Sequence, residues 1–245
     1  MYNTCARIVL LIIACSIEGV VLAQENVVAR ILNKLSLKAE DTDPRFTLIK
    51  ESPLDKNTSI VFIALPLQKE EMYIVYNTYL LIVNTNTGEI LYEIFEKEAI
   101  TSDAIQLANI KIDTAPYWVA DGTRAIGIRE SYEGQSRPNP FGHEVLSLYI
   151  PQKNKLIKIA DDLVMYEMNG EWDTNCEGTF SKSQSILIML AEKTNGFKNI
   201  KVNTATTETE NMMENGECIS KDTESKSTYI LAFDAQTKLY TAARH

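Results

Sequence analysis

"LLIVNTNTGEILYE", residues 80–93, carries an apolar run into a short polar stretch and straight back into a second apolar run. The Asn, Thr and Gly between the runs favour local hydrogen bonds and permissive dihedrals, so the stretch reads as a strand, a tight turn and a returning strand. The same reading fits "LSLYIPQKNKLIKI" (146–159) and "YILAFDAQTKLYTA" (229–242). The steps from Asn84 to Pro151 and from Pro151 to Asp234 are 67 and 83 residues, too long and too unequal for a regular blade repeat.

Strand signals fill the chain around these hairpins. "SIVFIALPL" (59–67) and "MYIVYNTYLLIVN" (72–84) are rich in β-branched and aromatic residues. "IQLANIKID" (105–113) alternates with a phase shift near Ala108 and Asn109, as a bulge produces. Further runs follow at 123–132, 144–150, 155–168, 185–193, 198–208 and 228–240. One helix is expected, in "NVVARILNKL" (26–35), where Val28, Ile31, Leu32 and Leu35 share a face before Pro44 closes the segment. The fold class is therefore mainly β. The expectation is an antiparallel meander of about a dozen strands, closed as a sandwich, barrel or irregular propeller, with one short N-terminal helix.

The first residues read as an export signal. Arg7 precedes an apolar run from Ile8 to Ile17, and Val21 and Ala23 provide the small residues before a cut after Ala23. The run is too short to span a membrane as a helix, which takes about 20 apolar residues. Removing residues 1–23 of 245 leaves 222, read as one all-β domain over 24–245 with a periplasmic or extracellular location. A second reading takes "LIIAC" (11–15) as a lipoprotein box and makes Cys15 a lipid anchor.

Net charge is −9, from 24 basic and 33 acidic residues. The acids concentrate in "TTETENMMENGECISKDTES" (206–225), which has only Lys221 to offset them. This balance excludes nucleic acid as a partner and offers no basic face to anionic lipid. The 206–225 stretch has little apolar content to hold it in place.

Of four cysteines, Cys5 and Cys15 fall in the signal, leaving Cys176 and Cys218, 42 residues apart. A lone pair in an exported chain reads as a disulfide. No cofactor and no metal are expected, since a zinc site needs more Cys and His than remain.

The best candidate for binding is the polar loop "ESYEGQSRPNPFGHE" (130–144), which presents Tyr132, Arg137, Asn139, Phe141, His143 and Glu144. His143 beside Glu144 suggests acid–base chemistry, but neighbours on a strand point to opposite faces. "NTNTGE" (84–89) resembles a calcium loop only faintly and reads better as the hairpin turn. Asp161 and Asp162 are expected to diverge on a strand. Trp118 and Trp172, the only tryptophans, are read as core packing, with Trp172 beside the disulfide.

The nucleophile elbow, the paired-histidine zinc motif and the phosphate-binding loop are all missing. The leading reading is a non-enzymatic exported domain that binds or caps a protein or other cell-envelope or extracellular component. The alternatives are a lipid-anchored scaffold and a carboxylate hydrolase of an envelope polymer. The hydrolase would draw on Asp121, Glu130, Glu133, Glu144, Glu171 or Asp173 with His143.

Overall fold

The computed structural model describes residues 27–70 and 73–243. The proposed signal, its cut, Cys5, Cys15 and His245 lie outside them. Residues 27–34 form helix α1, and Val27, Ile31 and Leu32 bury its apolar face. Fourteen strands follow. They are β1 (Thr47–Glu51), β2 (Thr58–Glu70), β3 (Tyr73–Asn84), β4 (Ile90–Ser102) and β5 (Ile105–Asp113). A small ribbon, β6 (Trp118–Ala120) and β7 (Thr123–Arg124), interrupts the series before β8 (Ile126–Gly134) and β9 (Phe141–Gln152). The four longest are β10 (Lys155–Trp172), β11 (Gly178–Thr194), β12 (Phe197–Glu214) and β13 (Glu217–Asp234), and β14 (Leu239–Ala242) ends the series.

Within each run consecutive strands pair antiparallel; β4 and β5 do not pair, the β6–β7 ribbon is a separate sheet, and β5 skips it to reach β8. Among the described residues the one parallel contact is a single bridge between Lys155 of β10 and Glu93 of β4. The sheet does not close into a barrel. It divides into three four-stranded meanders: β1–β4, then β5 with β8–β10, then β11–β14. Each of the recurring hairpins (80–93, 146–159, 229–242) is the last hairpin of one meander. Their spacing is uneven because the second unit contains the β6–β7 ribbon and the third is built from strands of 17 and 18 residues.

The units stack in layers, because a sheet must bury its apolar face against another element. Phe62, Leu80 and Ile100 of the first unit pack on Ile110, Ile126, Ile128 and Tyr149 of the second. Leu146, Leu148 and Ile159 on the opposite side of the second unit pack on Ile200, Val202, Leu231 and Phe233 of the third. Helix α1 covers the outer face of the first unit, against Val61, Ile63, Leu81 and Val83. It also engages the 84–89 turn, where Arg30 Nη1 donates to the Asn86 carbonyl. Gly88 sits at φ +66, and a Cβ there would come within 3.1 Å of Arg30 Cβ. Asn84 Oδ1 accepts from the Asn86 and Thr87 amides, both at 3.0 Å, so its oxygen closes the turn. The bulge expected in 105–113 is present, with the register breaking between Leu107 and Asn109.

Beyond the two inter-unit cores, β10–β13 continue as an arm. An 18-residue strand measures roughly 60 Å at about 3.3 Å per residue, and β13 is exposed along most of its length. The 206–225 stretch is therefore two regular strand segments joined by a turn, with better local support than the sequence reading gave it. Asn215 (φ 52) and Gly216 (φ 83) form the turn between β12 and β13, and Asn195 (φ 51) and Gly196 (φ 86) form the one before β12. Two successive positive φ values match the twist of flanking strands. Cross-strand hydroxyl bonds take the place of apolar burial. Ser183 and Thr206 are 2.8 Å apart, Ser185 and Thr204 are 2.9 Å apart, and Thr209 donates to Asp222 at 2.6 Å.

A disulfide staples the end of the arm. Cys176, in the turn between β10 and β11, bonds Cys218 on β13, with Cα atoms 5.7 Å apart. The link reaches across β12, which lies between β11 and β13 in the sheet. Asp173 Oδ1 accepts from the amides of Asn175 (2.9 Å) and Cys176 (2.8 Å), which holds the turn. These bonds keep the Asp173 carboxyl below the usual range.

Candidate functional site

Strands β8 and β9 form a hairpin whose connection, 135–140, carries the exposed side chains of Arg137 and Asn139. Tyr132 pairs with His143, and Ser131 with Glu144. Directly opposed residues share a face and their sequence neighbours take the other. Tyr132 and His143 therefore face the first unit, and Glu144 faces away, as alternation predicts. Phe141 is on the His143 side, with ring centroids 6.1 Å apart. The six predicted residues thus divide into three groups: Tyr132, Phe141 and His143 on one face, Glu144 on the other, and Arg137 and Asn139 at the tip.

Glu144 is held in a half-buried ion network. Arg129 Nη1 is 2.5 Å from Glu144 Oε1, and Arg129 Nε is 2.7 Å from Asp113 Oδ2. Tyr117 donates to Asp113 Oδ2 at 2.8 Å and receives Arg129 Nη2 at 3.3 Å. The Asp113 carboxyl lies below its usual range: burial pushes it up, but the Arg129 hydrogen bond, together with bonds from Ala115 and Tyr117, outweighs that. Every strong partner here is internal, so the network anchors β5 to β8 and β9.

On the opposite face lies a second group that the loop-centred reading missed. Tyr149 donates to Glu96 Oε2 at 2.7 Å, and Lys158 Nζ is 2.7 Å from both Glu96 Oε1 and Asp161 Oδ1. Tyr132 donates to Glu130 Oε2 at 2.6 Å. Burial raises the Glu130 carboxyl to about 7, with Asp162 and Glu96 adding to the rise and Tyr132 and Lys158 opposing it. Asp162 is also raised, by burial first and then by Asp161. The bulged register between Lys158 and Leu163, with Asp162 at φ +47, puts these two acids in each other's field instead of on fully separate faces. His143 Nε2 is buried and pairs with no protein group.

Glu130 has a testable pH signature. Its folded pKa is raised, so the native state holds its proton more tightly than the unfolded chain does. The native state is favoured most below the unfolded carboxyl range, near 4.3, and loses that advantage as pH rises towards about 7. Glu130→Gln is expected to flatten the fall in stability between those limits. Urea unfolding at several pH values reads the slope, and an unchanged slope would remove Glu130 as its source.

The other proposed hydrolytic acids are separately engaged or exposed. Asp121 is 2.7 Å from Lys193 Nζ, Glu133 and Glu171 are exposed, and Asp173 caps the disulfide turn. With Glu144 facing away from His143, this set does not converge on one centre. Among the described residues, no group of three or more His, Cys, Asp or Glu is placed to hold a metal ion.

Neither tryptophan is fully buried. Trp118 is 43% exposed beside the Arg124 guanidinium, against the expectation of core packing, because the short β6–β7 ribbon leaves one side of the ring open. Trp172 fixes the 135–140 connection. Its Nε1 donates to the Arg137 carbonyl at 2.8 Å, and its amide donates to the Pro138 carbonyl at 3.0 Å. Phe180 packs on it with centroids 6.0 Å apart and covers Gly170, where a Cβ would come within 2.4 Å of the Phe180 ring. Beside this clamp, Asn139, Asn169, Glu171, Phe180, Ser181 and Glu208 line a shallow cup of about 280 Å³.

The class defined by this architecture is a layered antiparallel β protein with a disulfide-stapled arm. No family model matches the chain, and neither a curated protein nor a solved structure matches it. Among the described residues no helix is long and apolar enough to cross a membrane. The disulfide is consistent with export.

Proposed function

We propose that the protein is an exported binding domain that holds a cell-envelope or extracellular component at the tip of the β8–β9 hairpin and in the cup beside it. The observation that carries this reading is the Trp172 clamp. Two hydrogen bonds fix the backbone of Arg137 and Pro138 while the side chains of Arg137 and Asn139 stay exposed. A rigid loop presenting free polar groups loses little conformational entropy on binding. Glu144 supports the reading indirectly, because it is engaged by Arg129 on the face away from His143, so the two do not form a pair.

The test compares the wild-type protein with an Arg137→Ala/Asn139→Ala double variant, each immobilised and exposed to envelope and medium fractions of the producing cells. A component held by the wild type and bound about tenfold more weakly by the variant, with an unchanged melting temperature, is expected. Equal retention by both overturns the proposal. Cleavage of an envelope polymer by the wild type, abolished in Glu130→Gln, would overturn it in favour of the hydrolase.

A further inference from the structure

Among the described residues, nothing covers the outer sheet face of the third unit. Helix α1 covers the outer face of the first unit, and the second is packed on both sides. The third unit turns Ile200, Val202 and Leu231 inward, so the residues alternating with them face out. On that outer face Ile186 is 56% exposed and Ile188 39% exposed. Around Ile186 runs a groove of about 540 Å³, lined by Gln184, Asn203, Ala205, Lys226 and Thr228.

The pairing register fixes the order of rows along this face. From the tip inward, Phe180, Thr209 and Asp222 form one row, and Lys182, Thr207 and Glu224 the next. Gln184, Ala205 and Lys226 follow, then Ile186, Asn203 and Thr228, then Ile188, Lys201 and Ile230. On β12 and β13 the acids therefore sit towards the tip and the lysines towards the base. None of Lys182, Lys201 and Lys226 has an ion-pair partner within 4.0 Å among the described residues.

We infer that this outer face is an interface with a second copy of the chain, in which two arms stack face to face and antiparallel about a two-fold axis lying across the strands. An axis between the Glu224 and Lys226 rows reverses the order in the partner. Glu224 of each copy then meets Lys226 of the other, and the Phe180 row meets the Ile186 row. Stacked sheets lie about 10 Å apart, within reach of these side chains. The contact is the same patch on both copies, so it closes at two. The arm's reverse face does not match itself in this way, since Glu167, Glu171, Glu208 and Glu210 share it with only Lys221.

The test is the mass of the full mature chain by light scattering or sedimentation, at about 0.05 M and about 0.5 M salt. A dimer that weakens with salt is expected. Ile186→Asp, at an exposed position, should give monomer with an unchanged far-ultraviolet circular dichroism spectrum, and a melting temperature that no longer depends on protein concentration. Lys226→Glu should raise the dissociation constant about tenfold or more, and adding Glu224→Lys to it should restore dimerisation. A monomeric wild type, a dimer indifferent to Ile186→Asp, or no rescue by the charge swap overturns the inference. A monomer that binds polyglutamate through Lys226 would also overturn it, in favour of an acidic partner. Ile186→Asp leaves the 135–140 loop intact, so this result is separable from the binding test above.

Discussion

Replacing both Cys176 and Cys218 with serine is expected to lower the free energy of unfolding by about 4 kcal/mol. The disulfide closes a loop of 42 residues, and the estimate is the chain entropy that the unfolded state regains when the loop opens. The loss should be felt most at the distal arm, where every β13 residue from Glu217 to Tyr229 except the half-buried Ile219 is exposed and no apolar core replaces the link. Equilibrium urea unfolding of the double variant reads the total. Amide exchange across 206–225 should rise well before exchange in β2 or β3. A loss below about 1 kcal/mol would mean that the hydroxyl ladder and the Asn-Gly turn hold the arm without it.

Arg129→Met is expected to cost about 3 kcal/mol at neutral pH. The substitution keeps the apolar stem but leaves Asp113 and Glu144 without an ion-pair partner within 4.0 Å among the described residues. Removing one partner of a half-buried pair strands the other's charge in a poorly solvated place, and that cost exceeds the net value of the pair. The pH dependence follows from Asp113, whose folded carboxyl lies below its usual value. Its contribution is present above the unfolded pKa, near 3.9, and is lost as pH falls through the lower folded value. The deficit of the variant should therefore be full at pH 7 and shrink in acid, as the stranded carboxylate takes up a proton. A deficit that does not vary with pH would place the loss in packing of the Arg129 stem.

The sequence made the layers more legible than the site. Period-two apolar runs mark strands because alternate side chains meet a core, and the phase shift at Ala108 and Asn109 identified a bulge in advance. The recurring hairpins also had a meaning that spacing obscured: each closes a four-stranded unit, and insertions inside the units spread them apart. The arm was harder to read. Its Thr, Ser and Glu residues lack apolar alternation because neither face enters the inter-unit cores. Asn195–Gly196 and Asn215–Gly216 were the available signals for its hairpins.

The loop residues Arg137 and Asn139 were visible as an exposed polar stretch, whereas the clamp beneath them was not. Trp172 reaches it from a strand 35 residues further on, and nothing in "GEWDTNC" discloses that its partner is a carbonyl. Glu130 was named as one acid among several. Its raised pKa comes first from burial between layers and then from Asp162 and Glu96 on two other strands, and contacts of that range are set by strand order.

The units also follow the order in which the polypeptide is made. Helix α1 and β1–β4 come from one unbroken stretch, 27–102, so every strand pairing of the first layer can form before the last 140 or so residues have been synthesised. The second layer completes when β10 arrives. The Cys176–Cys218 bond comes later still, since its second thiol follows β12 and the Asn215–Gly216 turn in the chain. In a nascent chain, oxidation can therefore tie down the arm only after the first two layers have been synthesised, and it cannot guide the early collapse.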